Sequence, residues 1–217
     1  MTIVKGLKNI SALVDKPKYE GTGSKVRWLK LADGQSVKIR FIEELDEDSS
    51  NYNDKRGLAL VVKEHTNPKD YKRRALDTME AEGRDWAEEM HRKDPKAGWR
   101  ARLRFYCNVL VDDGLEEPYV AVWAMGVSKQ SAFNTIREYA LETGSISNLT
   151  WKLKRNGQGT ETSYTLIPGA PDKEPYDWSK SEPFALEKAL NKIPYAEQEA
   201  FYLGFDTPGS SSTNIDW

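Results

Sequence analysis

The groups in this chain best suited to a chemical task are cations interleaved with aromatic rings. Arg100, Arg102 and Arg104 recur at every second residue and end at Tyr106, within the stretch Trp99–Val111. A period of two is that of a β-strand. It puts the guanidiniums and the phenol on one face, with Ala101, Leu103, Phe105 and Cys107 on the core face. The pattern repeats in Arg27, Trp28 and Lys30, in Lys38 and Arg40, in Tyr119 and Trp123, and in Trp151, Lys152, Lys154 and Arg155. Such cations neutralise phosphates, while unpaired bases stack on rings at roughly 1–3 kcal/mol each. The competing reading makes the charged faces solvated surface. In that reading Trp28, Trp123 and Trp151, which fall in phase with apolar neighbours, are core.

Groups suited to catalysis are sparse. The two histidines are His65 and His91, and there is neither a Gly-x-Ser-x-Gly elbow nor a Gly-x-x-x-x-Gly-Lys phosphate loop. Cys107 falls on the apolar face of its strand, which suits a small core residue rather than a nucleophile. Asp46-Glu47-Asp48 and Glu116-Glu117 read as turn or surface runs. A binding protein without enzymatic activity or cofactor is the expectation, and a Mg²⁺-dependent nuclease built on scattered carboxylates is the enzymatic alternative.

The elements that must position these groups belong to a chain of 217 residues, 30% charged and 38% hydrophobic, the size of one domain with an extension. No apolar run reaches the length of a membrane span, and Met1-Thr2-Ile3-Val4-Lys5 lacks a signal-peptide core. The single cysteine excludes an intrachain disulfide and a thiolate metal cluster, so an intracellular protein is expected. The net charge of -2 hides a gradient: residues 1–45 carry nine Lys and Arg against five Asp and Glu, and residues 171–217 carry four against nine. A basic start and an acidic end suit a nucleic-acid binder with a partner-recruiting tail.

Residues 1–24 read as an arm, interrupted by Pro17 and Gly21-Thr22-Gly23-Ser24. Val26–Leu31 and Ser36–Phe41 flank Asp33-Gly34 and predict a hairpin. Further strands are expected at Leu58–Lys63, Trp99–Val111, Tyr119–Met125, Leu149–Arg155 and Thr162–Ile167. The insertion 66–98 is rich in helix formers, and Gly83 divides Tyr71–Arg92 into two short helices. A connection of that length commonly carries a site. Ser128 opens a helix through Thr143, with Gly144 past its end. After Pro168-Gly169 come helices at Phe184–Ile193 and from Pro194 to Tyr202, in an extension over 171–205, then a flexible tail over 206–217.

This order predicts an α+β, mainly β protein. The oligonucleotide-binding (OB) fold, an antiparallel barrel here spanning 25–170 with a helical insertion and a C-terminal helical extension, matches best. A plain sandwich is the alternative.

Trp28-Leu29-Lys30-Leu31-Ala32-Asp33-Gly34-Gln35-Ser36-Val37-Lys38-Ile39-Arg40-Phe41 resembles the opening of tailed-phage single-stranded DNA-binding proteins of the gene-32 type. The sequel is similar: His65 ending a strand, a polar insertion, Trp99–Val111, the Ser128 helix and Trp151–Arg155. The resemblance covers residues 24–205. It implies a sequence-independent single-stranded DNA-binding protein in phage replication, recombination and repair, located in the host cytoplasm, with Arg and Lys on phosphates and Tyr106, Trp123, Trp28 or Tyr119 stacking bases. Members of that family hold zinc in the insertion through one His and three Cys. The equivalent positions here are His65, Asp77, Asp85 and Glu88, a set that suits zinc poorly. A relic loop held by packing of Trp86 and Met90 is therefore expected, with an oxygen-ligated ion as the alternative. The resemblance also implies self-association along DNA through a basic arm (Lys5, Lys8), and recruitment of phage replication proteins by the closing Ile215-Asp216-Trp217. Two other classes remain: an RNA-binding barrel, and a protein-interaction module without nucleic-acid affinity.

Overall fold

The computed structural model describes residues 26–114, 117–179 and 181–205. The arm with Lys5 and Lys8, and the tail with Ile215, Asp216 and Trp217, lie outside them.

Strand β4 (Arg102–Asp112) organises the sheet. From Phe105 to Val111 every residue is buried, which requires cover on both faces and hides the period-two signal. With it, β1 (Ser36–Phe41), β2 (Leu60–Asn67), β3 (Asp70–Leu76), β5 (Tyr119–Gly126), β6 (Leu149–Asn156) and β7 (Ser163–Pro171) form one antiparallel seven-stranded sheet. Its path is β3-β2-β4-β1-β6-β7, with β5 paired to β4. β2 and β1 follow one another along one edge of β4, at Arg102–Tyr106 and Val109–Asp112, and β5 takes the other edge.

One face of this sheet curls around the main core. Val37, Ile39 and Phe41 of β1, Leu149, Trp151 and Leu153 of β6, and Phe105, Cys107 and Trp123 are buried together. Trp123 of β5 and Tyr164 of β7 come from opposite edges, yet their ring centroids meet at 5.4 Å. Among the described residues no ladder joins β5 to β7. Helix α3 (Ala132–Thr143) caps this core with Ala132 and Ile136, and ends at Gly144 in the left-handed conformation (φ 79°). The preceding short helices are α1 (Met79–Glu82) and α2 (Trp86–Lys93), and α4 (Tyr195–Leu203) closes the described chain.

The opposite face of β4 and β5 is also covered. Tyr106, Val122 and Leu186 form a second apolar cluster with Trp28, Leu60, Phe184 and Leu190, so the C-terminal extension straps the sheet. Asn108 holds the strap like a neighbouring strand: its Nδ2 donates to the Phe184 carbonyl at 2.9 Å, and its Oδ1 accepts from the Phe184 N–H at 3.0 Å. A third cluster packs α2 and α4 on β3 through Trp86, Ala75 and Tyr202.

Three expectations are corrected. Val26–Leu31 does not form a hairpin with β1, because both edges of β1 are taken by β4 and β6. The segment instead bridges β5 at Trp28, with Leu29 N donating to the Val122 carbonyl at 2.9 Å. Tyr71–Leu76 is strand β3 rather than helix: its pairing with β2 overrides the helical propensity of its residues. Helix appears only beyond it, divided at Gly83 (φ 71°) as the sequence predicts. Of Phe184–Ile193, only Leu186–Ala189 makes a 3₁₀ turn, since its apolar residues are spent on the strap contact.

Candidate nucleic-acid interface

A cleft of about 880 Å³ opens where β5 and β7 part. Arg100 lies just ahead of β4, Arg102 and Leu103 open it, Val127 and Ser128 follow β5, Gln130 and Ser131 lead into α3, Thr162 precedes β7, and Tyr164 lies near its start. Both arginines are exposed. Leu103 is 48% exposed, although its phase with Phe105 predicts core. The Tyr164 ring is half-buried and steadied edge-on by Trp123. Ser128, Gln130, Ser131 and Thr162 add hydroxyl and amide groups to the lining. Among the described residues lining the cleft, Glu161 is the one carboxylate, and no histidine or cysteine faces it. The arrangement suits binding of an anionic, ring-bearing ligand better than proton transfer.

The sequence-predicted residues divide between surface and interior. Lys30, Lys38, Arg100, Arg102, Lys152 and Lys154 are exposed. Arg27 is exposed as well, with its guanidinium 3.2 Å from the centroid of the Tyr119 ring. Of the four rings expected to include the stacking ones, Tyr106, Trp123, Trp28 and Tyr119, the first two are buried, at 2% and 1% exposed. Tyr106 faces the strap, Trp28 packs edge-on to it at 6.2 Å, and its hydroxyl donates to Glu64 Oε1 at 2.7 Å. Arg104 is half-buried beside this pair, with Arg74 3.6 Å from Glu64 Oε2. Burial pushes the Glu64 carboxyl and the Tyr106 phenol up, and the Arg74 guanidinium down. The row of arginines is therefore split: Arg100 and Arg102 border the cleft, whereas Arg104 and Tyr106 belong to a covered polar cluster.

Arg40, expected among the contacts, is buried among protein partners. It is 8% exposed and bound to the Asp172 carboxylate, Thr150 Oγ1 and the Ser147 carbonyl. Arg155 spends its guanidinium on the Leu31 carbonyl (2.6 Å) and Thr162 Oγ1 (3.1 Å), which ties the segment before β1 to the β6–β7 turn. Cys107 is buried, and burial drives its thiol well above the ordinary range.

The insertion brings together three of the four positions that the resemblance aligns with zinc ligands. Ligand atoms of His65, Asp77 and Asp85 lie within 4.8 Å of one another. His65 Nδ1 is 2.6 Å from the Trp99 carbonyl, and Nε2 is 3.2 Å from Asp77 Oδ2. Each carboxylate already has protein partners. Asp85 caps α2 by accepting from Glu88 N at 2.9 Å, and its other oxygen accepts from Thr78 N and Gln198 Nε2, each at 3.0 Å. Asp77 Oδ2 takes the Lys63 ammonium at 2.7 Å, which holds Asp77 ionised against its own burial. Glu88 turns to Arg92 at 3.2 Å. This donor set does not fit zinc: it lacks thiolates, its fourth member faces away, and an ammonium already sits on Asp77. It joins β2, α2 and α4 as a buried hydrogen-bond network.

Two groups that sequence reading misses matter here. Tyr164 sits directly after a polar turn and carries no signal beyond alternation with Leu166. Tyr176 lies in a stretch without periodicity, and its ring is fixed 4.5 Å from the Arg40 guanidinium. Comparison with protein-family models, curated proteins and solved structures finds no match for this chain.

Proposed function

We propose that this chain is a non-enzymatic, sequence-independent single-stranded DNA-binding protein, and that the strand enters the cleft between β5 and β7. The observation that carries this reading is the convergence of Arg100, Arg102 and the Tyr164 ring on one open cleft. The strand order supports it. Taken alone, β5-β4-β1-β6-β7 with α3 between β5 and β6 follows the order of an OB barrel opened at one seam. In that fold oligonucleotides lie across the second and third strands, between the loop after the first strand and the loop joining the last two. The corresponding stretches here are the long connection ending at Arg100 and the β6–β7 turn, and both border the cleft. A phage replication, recombination and repair role in the host cytoplasm, with self-association along DNA and partners recruited by the tail, completes the reading.

Replacing both Arg100 and Arg102 by Ala tests it by fluorescence anisotropy with labelled oligo(dT). Each lost phosphate contact lowers the steepness of log affinity against log salt by about 0.7, so the double variant should lose about 1.4. Unchanged affinity and slope would overturn the placement of the strand in this cleft.

A further inference from the structure

The outer face of β1, β6 and β7 carries a second constellation that the cleft does not use. Lys38 of β1 lies directly opposite Lys152 of β6, and Lys154 follows two residues later on the same face. Like charges directly opposite on a ladder repel, so this face has a standing electrostatic cost in the free protein. All three ammonium groups are exposed, and among the described residues none forms an ion pair. Among the described residues lining the hollow beside them, Asp112 of β4 is the one carboxylate; it is opposite Lys38 and accepts from Gly114 N at 3.1 Å.

Beside the lysines is a hollow of about 570 Å³ with an apolar floor. Ile167, opposite Lys152 on β7, is 53% exposed there, and Leu110 and Pro168 extend the floor. Tyr176 forms one wall and is 37% exposed. Its ring lies on the Arg40 guanidinium, which is itself anchored by Asp172 and Thr150. The ring is thus held in place before any ligand arrives, which reduces the ordering cost of stacking.

A row of cations beside an apolar floor and a fixed ring matches the chemistry of a phosphate joined to a flat base. We propose that this hollow is a second nucleotide subsite, in which Lys38, Lys152 and Lys154 take phosphates and Tyr176 stacks a base. Its occupant is the continuation of the single strand held in the cleft. The two sites lie on opposite faces of the β6–β7 hairpin: Tyr164 turns toward the cleft, while Thr165 and Ile167 pair with Lys154 and Lys152 on the outer face. A strand that fills both sites wraps this hairpin. The proposal rests on the single-strand-binding reading above.

The test measures full-length protein against oligo(dT) of about 8 and about 25 nucleotides, lengths chosen to fill the cleft alone or to reach beyond it. For Lys38→Gln with Lys152→Gln, affinity for the long oligonucleotide should fall about tenfold and its salt slope by about 1.4, with the short one unaffected. Tyr176→Ala should lower long-strand affinity about fivefold, and Tyr176→Phe should restore it. Wild-type behaviour of the lysine variant on the long strand overturns the hollow as a subsite for the strand, and leaves the cleft reading intact if Arg102→Ala still weakens both lengths. Equal loss on both lengths shows a single continuous site and overturns the second one. Binding of free thymidine monophosphate that the lysine variant abolishes, without change on the long strand, overturns the strand assignment in favour of a free nucleotide. Failure of the wild type to bind either length overturns both readings.

Discussion

Replacing Glu43 with Gln should flatten the dependence of stability on pH. Glu43 lies two residues past the end of β1, is 2% exposed, and accepts from Asn108 N at 2.7 Å and from Asn108 Nδ2. Asn108 in turn grips the Phe184 backbone, so this carboxyl stands behind the attachment of the strap. Burial pushes its pKa up from 4.5 to about 8, against the opposing effects of the Asn108 bonds and Arg56. The folded state therefore holds the proton more tightly than the unfolded chain. The resulting stabilisation is complete below the unfolded value and is lost as pH rises through the folded one. At about 1.4 kcal/mol per pH unit, the wild type should lose about 3 kcal/mol from this group between about pH 5 and about pH 7.5. Glu64, whose carboxyl is also raised by burial, adds a slope of the same sign, but it is common to both proteins and cancels in the comparison. Urea unfolding of wild type and Glu43→Gln at a series of pH values reads the difference directly. The amide introduces its own mismatch against Asn108, which offsets the curve without tilting it. Parallel curves over this window would refute the reasoning.

Asp85→Ala should cost about 3 kcal/mol, because it removes the α2 cap, leaves the buried Thr78 N–H without an acceptor and takes one acceptor from Gln198 Nε2. Thermal unfolding reads this, and a chelator should leave the wild-type midpoint unchanged. Gly157→Ala should cost about 2 kcal/mol: Gly157 has φ 79°, and a Cβ there would collide with the Glu161 carbonyl in the β6–β7 turn. A variant with wild-type unfolding behaviour would contradict that account.

Elements with one buried and one exposed face are legible in the sequence. β1 alternates Val37, Ile39 and Phe41 against Lys38, and β6 alternates Leu149, Trp151 and Leu153 against Lys152 and Lys154, so pattern and burial agree. The end of α4 at Gly204 (φ 80°) follows from the same local chemistry. Legibility fails where distant chain covers a face that local pattern would leave open. In β4 the alternation separates two faces correctly, but nothing local says that Phe184 and Leu186, far along the chain, cover the one bearing Tyr106. For the same reason Tyr71–Leu76 reads as helix although β2 claims it as a strand. At the candidate site, the exposure of Arg100 and Arg102 is readable from their strand position. Tyr164 and Tyr176 are not, because packing on Trp123 and Arg40 rather than sequence period makes them wall residues.

The most direct test of the central claim is the anisotropy of labelled oligo(dT) titrated with the wild-type protein at several salt concentrations. The account predicts saturable binding whose log affinity falls linearly with log salt, at about 0.7 per phosphate contacted. No binding at low salt, or an affinity that salt leaves unchanged, would contradict it.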